Sequence, residues 1–226
     1  AAIRRKETYA TSGTRPTLRF FAGALEDDLC EAPDMISRAY RDGVPMGGEI
    51  AAGAGDDEPR FLVSAHKDPG TLLSPGTDLQ RIQVIKGWVD GQGQAREKVF
   101  DIAGDPDNGA AVDRQNCARL GTGLKRSCTL WRDPEFDPDQ DAFYYVRLLE
   151  NPSCRWSKLQ CQAAGVNPFD TACAAQAEAA TALAQASGAS GDVFGKCCTD
   201  PRTEPFYSPL IQERAWSSPI WYRARN

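Results

Sequence analysis

The chain has 226 residues, which is enough for one large domain or two small ones with a hydrophobic core. It carries 31 acidic and 26 basic residues, and the formal net charge of −5 gives no electrostatic support for nucleic-acid binding. No apolar run approaches the roughly 18 residues of a membrane-spanning helix. The composition therefore points to a protein that has no nucleic-acid partner and no membrane span.

Residues 16–152 consist of short strand-like runs separated by glycine and proline turns. The most apolar run, residues 142–149, is typical of a central strand covered on both faces. Residues 79–89 alternate, with Ile82, Val84 and Trp88 on one face and Gln83 on the other. Further strands are predicted at residues 18–22, 49–52, 61–67, 97–103 and 129–131, with the end of a helix at 1–10, a short helix at 35–41 and a solvated turn at 56–59. No helix of crossover length separates the strands, so the pattern favours an antiparallel β-sandwich over a βαβ fold.

The composition changes in residues 153–226. An alanine-rich stretch predicts a helix over residues 170–186, with Asp170 as its N-cap and Gly188 as its stop. Its apolar face is small, and five of the eight cysteines lie in this region, so disulfides are expected to fasten it to the sandwich. The predicted fold is mainly β, an antiparallel β-sandwich with a disulfide-linked, partly helical C-terminal extension.

The cysteine pattern favours disulfides over a metal site. The chain has an even number of cysteines, no Cys-x-x-Cys sequence and a single histidine, His66. The predicted disulfide cysteines are Cys30, Cys117, Cys128, Cys154, Cys161, Cys173, Cys197 and Cys198. We expect Cys117 to pair with Cys128 across a hairpin, and an oxidising location, periplasmic or secreted. Residues 1–10 lack the hydrophobic region of a signal peptide, so we expect a processed chain or a fragment.

Two stretches are candidate binding sites. Arg5, Thr11, Ser12 and Arg15 flank a turn, and guanidinium groups with hydroxyls and backbone amides there could bind an anion or an anionic substrate. Asp137, Asp139 and Asp141 have the spacing of carboxylates that open a calcium loop. An EF-hand would need a glycine and a glutamate where the chain has Ala142 and Leu148, so the alternative is a solvated turn. No catalytic residue is predicted.

Seven motifs are spread from residue 5 to residue 222: Arg5-Lys-Glu-x-Tyr9-Ala-Thr-Ser-Gly13-x-Arg15, Gly43-Val-Pro-Met-Gly-Gly48, Leu79-Gln-Arg-Ile-Gln-Val-Ile-Lys-Gly-Trp88, Trp131-x-Asp-Pro-x-Phe-Asp-Pro138, Ala142-Phe-Tyr-Tyr-Val-Arg147, Glu150-Asn-Pro-x-Cys-Arg-Trp156 and Gln212-Glu-Arg-Ala-Trp-x-Ser-Pro-Ile-Trp-Tyr222. In these motifs the chain resembles a bacterial family of unknown function whose members are large and often exported.

The resemblance implies an N-terminal metal-dependent domain of the PHP type (polymerase and histidinol phosphatase), related to phosphoesterases. Residues 1–15 would then be the remnant of that preceding domain, which becomes the expected partner of this chain. No cofactor is expected in this chain, and a divalent metal would belong to the missing domain. The expected function is the C-terminal portion of an exported metal-dependent hydrolase, inactive as this fragment. The alternative is a non-catalytic β-sandwich module for binding or assembly, in which exposed tryptophans such as Trp88, Trp156, Trp216 or Trp221 would contact carbohydrate or protein.

Overall fold

The computed structural model describes residues 1–51, 58–72, 74–200, 202–204 and 206–224. The strands in chain order are β1 Tyr9–Thr11, β2 Thr17–Gly23, β3 Gly43–Pro45, β4 Glu49–Ala51, β5 Arg60–His66, β6 Leu79–Val89, β7 Ala95–Gly104, β8 Ala111–Val112, β9 Arg119–Leu120, β10 Arg126–Trp131, β11 Ala142–Glu150, β12 Ser153–Cys154, β13 Leu210–Ile211, β14 Arg214–Ser217 and β15 Ile220–Arg223. The α-helices are α1 Met35–Asp42, α2 Trp156–Ala163 and α3 Cys173–Ala186. None of the helices in the described parts is long and apolar enough to cross a membrane.

The chain forms two compact units. Unit 1 contains Ala1–Asn108, Gly123–Asn151 and Glu213–Asn226, and unit 2 contains Gly109–Thr122 and Pro152–Gln212. Strands β14 and β15 therefore lie in unit 1, although the residues that precede them in the chain belong to unit 2.

The larger sheet of unit 1 has seven strands and is built around β11. Along its whole length β11 pairs antiparallel with β6, and β6 pairs with β7. On the other side of β11, β14 and β15 lie one after the other, each antiparallel to it. The N-terminal β1 pairs with β14, and β4 pairs parallel with β15. The predicted central position of residues 142–149 is confirmed, because β11 has partners on both sides. The expectation that both faces are covered was wrong, because Phe143 is 39% exposed on the face away from the core.

The second sheet of unit 1 has four strands in the order β10-β5-β2-β3. Inward side chains of the two sheets share one hydrophobic core, to which Phe20, Phe61 and Val63 contribute from the smaller sheet and Val84 and Val146 from the larger sheet. On its other face the smaller sheet packs a second cluster beneath α1, and the Cys30–Cys128 disulfide joins a short 3-10 helix to β10 beside this cluster. The mainly β sandwich fold predicted from the sequence is confirmed.

Unit 2 is held together by three disulfides and two helices. Cys117 pairs with Cys154, Cys161 of α2 pairs with Cys197, and Cys173 at the start of α3 pairs with Cys198. The buried cysteines of the two helices pack with Val166, Ala177 and Ala180 in a small core. A helix with so small an apolar face gains its stability from these cross-links, each worth about 2–4 kcal/mol in the chain-entropy picture.

Several local predictions were wrong. Cys117 does not pair with Cys128, since Cys117 pairs with Cys154 and Cys128 pairs with Cys30. The alanine-rich helix begins at Cys173 instead of Asp170, because the Asp170 carboxylate accepts a hydrogen bond from the backbone N–H of Ala172 in a turn before the helix. Helix α2 was not predicted. Residues 1–10 form one 3-10 turn and then the start of β1. Strand β1 forms because β14 offers it an edge with open backbone hydrogen-bonding groups. The turn predicted at residues 56–59 lies partly outside the described residues.

Candidate functional site

The N-terminal turn places the predicted anion-binding residues among carboxylates. The Ser12 hydroxyl donates to the Glu213 carboxylate, and the Thr14 hydroxyl donates to Glu150 Oε1 at 2.6 Å. The backbone N–H of Arg15 donates to Asp68 Oδ2 at 2.8 Å. Backbone hydrogen bonds, first that of Gly70 and then that of Arg15, hold the pKa of the Asp68 carboxyl below its usual value.

The other two members of the predicted anion site have their own partners. Arg5 pairs with Glu7 at 2.7 Å, and Thr11 faces Ala215 across the β1–β14 ladder. Glu7 also accepts a hydrogen bond from the Tyr40 hydroxyl, and this bond, followed by the one from Arg5, lowers the pKa of Glu7. The structure brings Thr11, Ser12 and the backbone of Arg15 to one turn. That anion binding occurs there stays a prediction.

The three aspartates of the predicted calcium loop do not converge on one point. Asp137 Oδ1 accepts the backbone N–H of Asp139 at 3.0 Å. Asp141 Oδ1 accepts the backbone N–H of Ala224 at 2.8 Å, and its other oxygen lies 3.5 Å from Arg223. Within the described parts of the chain, no group of three or more histidine, cysteine, aspartate or glutamate side chains is placed to hold a metal ion.

A charged network lies in the core of unit 1, and its members are Lys86, Asp133 and Tyr144. Lys86 Nζ donates to Asp133 Oδ2 at 2.6 Å and to the carbonyl of Glu135 at 2.7 Å. The Tyr144 hydroxyl donates to the same Asp133 oxygen at 2.8 Å, and the N–H of Glu135 donates to Asp133 Oδ1 at 2.9 Å. All three side chains of the network are buried. Burial, followed by the negative charge of Asp133, raises the pKa of Tyr144, so the hydroxyl stays a proton donor.

Glu58 is a further acidic group near this network. Its Oε1 atom is buried and has no hydrogen-bond partner within the described residues. Burial, opposed by the positive charge of Arg132 and reinforced by the negative charge of Asp133, raises the pKa of the Glu58 carboxyl. The physical cause is desolvation, which penalises the charged form of a carboxyl whose Oε1 atom has lost contact with water.

An open groove of about 570 Å³ lies at one end of the seven-stranded sheet, where strands β6, β7, β11 and β15 contribute its lining. We call it the aromatic groove. Its volume is in the range of ligand sites in proteins. Its lining residues are Gly87, Trp88, Val89, Ala95, Arg96, Glu97, Asp141, Ala142, Phe143, Trp221, Tyr222 and Arg223. These residues come from four strands, and the β6–β11–β15 register aligns Gly87, Phe143 and Trp221 side by side across the sheet.

The sidedness of the strands explains the groove. Alternation turns Phe143 and Tyr145 of β11 away from the core, whereas Ala142 and Tyr144 are buried. The Phe143 ring lies over Gly87, since a Cβ atom at position 87 would come within 2.2 Å of Phe143 Cζ. Gly87 therefore gives the aromatic ring a place against the backbone of the neighbouring strand.

Charged side chains line the rim of the aromatic groove in equal numbers of each sign. Arg96 pairs with Asp90 at 2.7 Å, and Arg223 lies 3.2 Å from Glu49. The hydrogen bond to Glu49 and the charge of Glu49, followed by the charge of Asp141, raise the pKa of the Arg223 guanidinium, which stays charged. The groove thus combines aromatic faces with fixed donors and acceptors.

The groove was only partly visible in the sequence, and the buried network was missed. Trp88 and Trp221 were named as possible contact residues, and both are partly exposed, as are Trp131 and Trp216, while Trp156 is exposed. Lys86 lies in the same alternation phase as Ile82, Val84 and Trp88, and that phase could have indicated its buried position.

The comparisons with known proteins identify a family but no activity and no ligand. Neither a curated protein nor a solved structure matches the chain. The family described as "Protein of unknown function (DUF3604)" matches residues 1–183, which is most of the chain and includes β1 to β11 and most of α3. The match thus contains three of the four strands that line the aromatic groove and all three residues of the buried network. The chain belongs to this family of proteins of unknown function, DUF3604.

Proposed function

We propose that the chain is the non-catalytic, β-rich part of an exported metal-dependent hydrolase acting on phosphoesters. In this proposal a PHP-type domain precedes the chain in the same polypeptide and holds the catalytic divalent metal. The motifs from residue 5 to residue 222 support it, because they resemble a family whose members carry such a domain. The structural observation that carries the proposal is the firm attachment of the N-terminal stretch to the seven-stranded sheet.

The attachment uses both backbone and side chains. Strand β1 pairs with β14, and the N–H of Ser12 continues the ladder to the carbonyl of Arg214 at 2.9 Å. The N–H of Arg214 in turn donates to the Ser12 hydroxyl at 2.8 Å. Thr14 adds its 2.6 Å bond to Glu150, a side chain that is 1% exposed. A domain connected through this stretch would therefore have a fixed attachment point on the sheet instead of a flexible tether.

The described residues do not supply the metal-binding part of such an enzyme. A phosphoesterase metal polarises a phosphoryl oxygen and lowers the pKa of a bound water. The described residues offer no group of side chains that fits a metal ion, so no step of that chemistry is assigned to them. Their role in the proposal is to hold and orient the preceding domain.

Export is the second part of the proposal. All eight cysteines form disulfides, three of them in unit 2 and one in unit 1. Four disulfides are compatible with an extracellular or periplasmic location, since such bonds form and persist in oxidising compartments. Fractionation of cells that produce the native gene, with an antibody against the chain, tests this part directly, and recovery of a reduced protein from the cytoplasm would contradict it.

The hydrolase proposal is tested by comparing two polypeptides. One is the 226-residue chain, and the other is the product of the complete reading frame, loaded with zinc, manganese or calcium. We expect hydrolysis of a phosphoester panel by the longer polypeptide only, with loss of activity after chelation. A longer polypeptide that is folded and metal-bound but cleaves no phosphoester would refute the proposed chemistry. Metal-dependent cleavage by the 226-residue chain alone would refute its non-catalytic role.

The aromatic groove favours a second candidate function, a binding module. The two candidates differ in what the 226-residue chain does alone, because a binding module retains its ligand without any other domain. Equilibrium binding to the isolated chain therefore separates them, and the chemical class of the ligand is the subject of the next section.

A further inference from the structure

We propose that the aromatic groove is a binding site for a neutral oligosaccharide. This inference goes beyond the hydrolase proposal and does not depend on it, since it rests on groove residues of unit 1 alone. The groove is wide and open, it is lined by several strands, and its volume of about 570 Å³ accommodates sugar rings.

The aromatic lining suits the apolar faces of a sugar. A pyranose ring has C–H groups on its faces and hydroxyls around its edge, and aromatic rings bind such C–H faces while they exclude water. Phe143 and Trp221 present their rings to the groove, and Phe143 is 39% exposed, whereas the Trp88 ring packs against the core. An aromatic ring buries about 150–250 Å² when it is fully covered, so a ligand that covers these rings gains substantial apolar contact.

The charges select a neutral ligand over an anion. Arg96 and Arg223 are balanced on the groove wall by Glu97 and Asp141. The Arg96 guanidinium is already paired with Asp90, and that of Arg223 with Glu49 and Asp141, so a phosphate or carboxylate ligand would have to compete with carboxylates of the protein. A hydroxyl donates and accepts at once, so it can accept from a guanidinium and donate to a carboxylate. The mixture of charges therefore matches the edge of a sugar.

Contacts from within the protein position the rings before a ligand arrives. Phe143 rests on Gly87, and Lys6 Nζ lies 5.0 Å from the centre of the Trp221 ring. A rigid site loses little conformational entropy when it binds, which favours affinity.

The test uses the 226-residue chain and soluble hexasaccharides of glucose, N-acetylglucosamine and xylose, with inorganic phosphate and glycerol phosphate as anionic comparators. Calorimetry and tryptophan fluorescence measure binding. We expect at least one neutral hexasaccharide to bind more tightly than either anion. Trp221→Ala and Phe143→Leu each weaken that binding about tenfold, while Phe143→Tyr retains it. Trp156→Ala is the matched control, because Trp156 is 67% exposed and does not line the groove.

Each outcome decides the proposal, provided that circular dichroism and thermal melting show every variant folded. No binding of any of the neutral hexasaccharides would overturn it, and so would tighter binding of the anions. Binding that survives Trp221→Ala and Phe143→Leu would place the sugar elsewhere and would also overturn it. Phosphoester hydrolysis is not measured in this experiment, so the failure of one proposal is distinguishable from the failure of the other.

Discussion

Replacing Asp133 by asparagine should be among the most destabilising single changes in unit 1. Asp133 accepts hydrogen bonds from Lys86, Tyr144 and the backbone of Glu135. The side chains of Lys86 and Asp133 are 4% and 0% exposed. Asparagine keeps the shape but removes the negative charge, and the Lys86 ammonium is left without its buried counter-ion.

The magnitude follows from the burial of the pair. Removing one partner of a buried ion pair costs about 3–5 kcal/mol, because the remaining charge is not compensated. Tyr144→Phe removes only one hydrogen bond to a charged group and should cost about 1.5–3 kcal/mol. The double change Lys86→Met with Asp133→Leu removes both charges and should cost less than Asp133→Asn, since a buried pair replaced by apolar residues is often close to neutral.

Urea unfolding with intact disulfides measures these differences as shifts of the transition midpoint at constant slope. The expected order of unfolding free energies is wild type, Tyr144→Phe, the double variant and Asp133→Asn last, because the double variant leaves the Tyr144 hydroxyl and the Glu135 N–H without their acceptor. A loss below about 1 kcal/mol for Asp133→Asn would refute the reasoning, because it would mean that water reaches the ammonium. A double variant less stable than Asp133→Asn would show that the ion pair itself, not the uncompensated charge, dominates.

Three further predictions follow from single features. Gly87→Ala should displace the Phe143 ring and destabilise the protein by about 1–3 kcal/mol, and Phe143→Ala in the same chain should restore part of the loss in a thermal melt. Glu58→Gln should raise the midpoint of thermal unfolding at pH 7 but not at pH 4. The raised pKa of Glu58 means that the folded state binds more protons, so stability falls as pH rises from the unfolded pKa through the folded one; an equal gain at both pH values would contradict this. Replacing both Cys30 and Cys128 by alanine opens a loop with a sequence separation of 98 and should cost up to about 4.7 kcal/mol, measured by urea unfolding, whereas a loss near zero would mean that the bond constrains little of the unfolded chain.

The β framework was predictable from local patterns. The alternation of Ile82, Val84 and Trp88 identified β6 and its inward face, and the apolar run at 142–149 identified the central β11. Both signals are local, because alternate residues of a strand point to opposite faces whatever their partners are. Helix α1 was also predicted from a local signal, in this case a short run of residues that ends at a glycine.

The parts that were missed depend on distant partners. Strand β1 exists only because β14 offers an edge, and its residues alone carry no strand signal. Eight cysteines allow 105 pairings, so spacing could not reveal that Cys117 joins Cys154. The aromatic groove assembles residues from four strands, and no single segment contains enough of it to be recognised. Lys86 is the exception among the missed residues, because its burial could be read from the sequence. Its position in the alternation of β6 indicated a buried side chain, but its charge argued for an exposed one.

The pairing of β1 with β14 has a consequence for the order of events during synthesis. Tyr9 lies opposite Ser217, so β1 must wait until the roughly 200 residues between it and β14 have been made. At about 5–20 residues per second, that delay is on the order of ten to forty seconds. During this time the edge of β11 that receives β14 and β15 also remains open, because both strands are made long after β11. The seven-stranded sheet therefore closes only after residues 214–223 have left the ribosome, and until then the nascent β11 is exposed to chaperones.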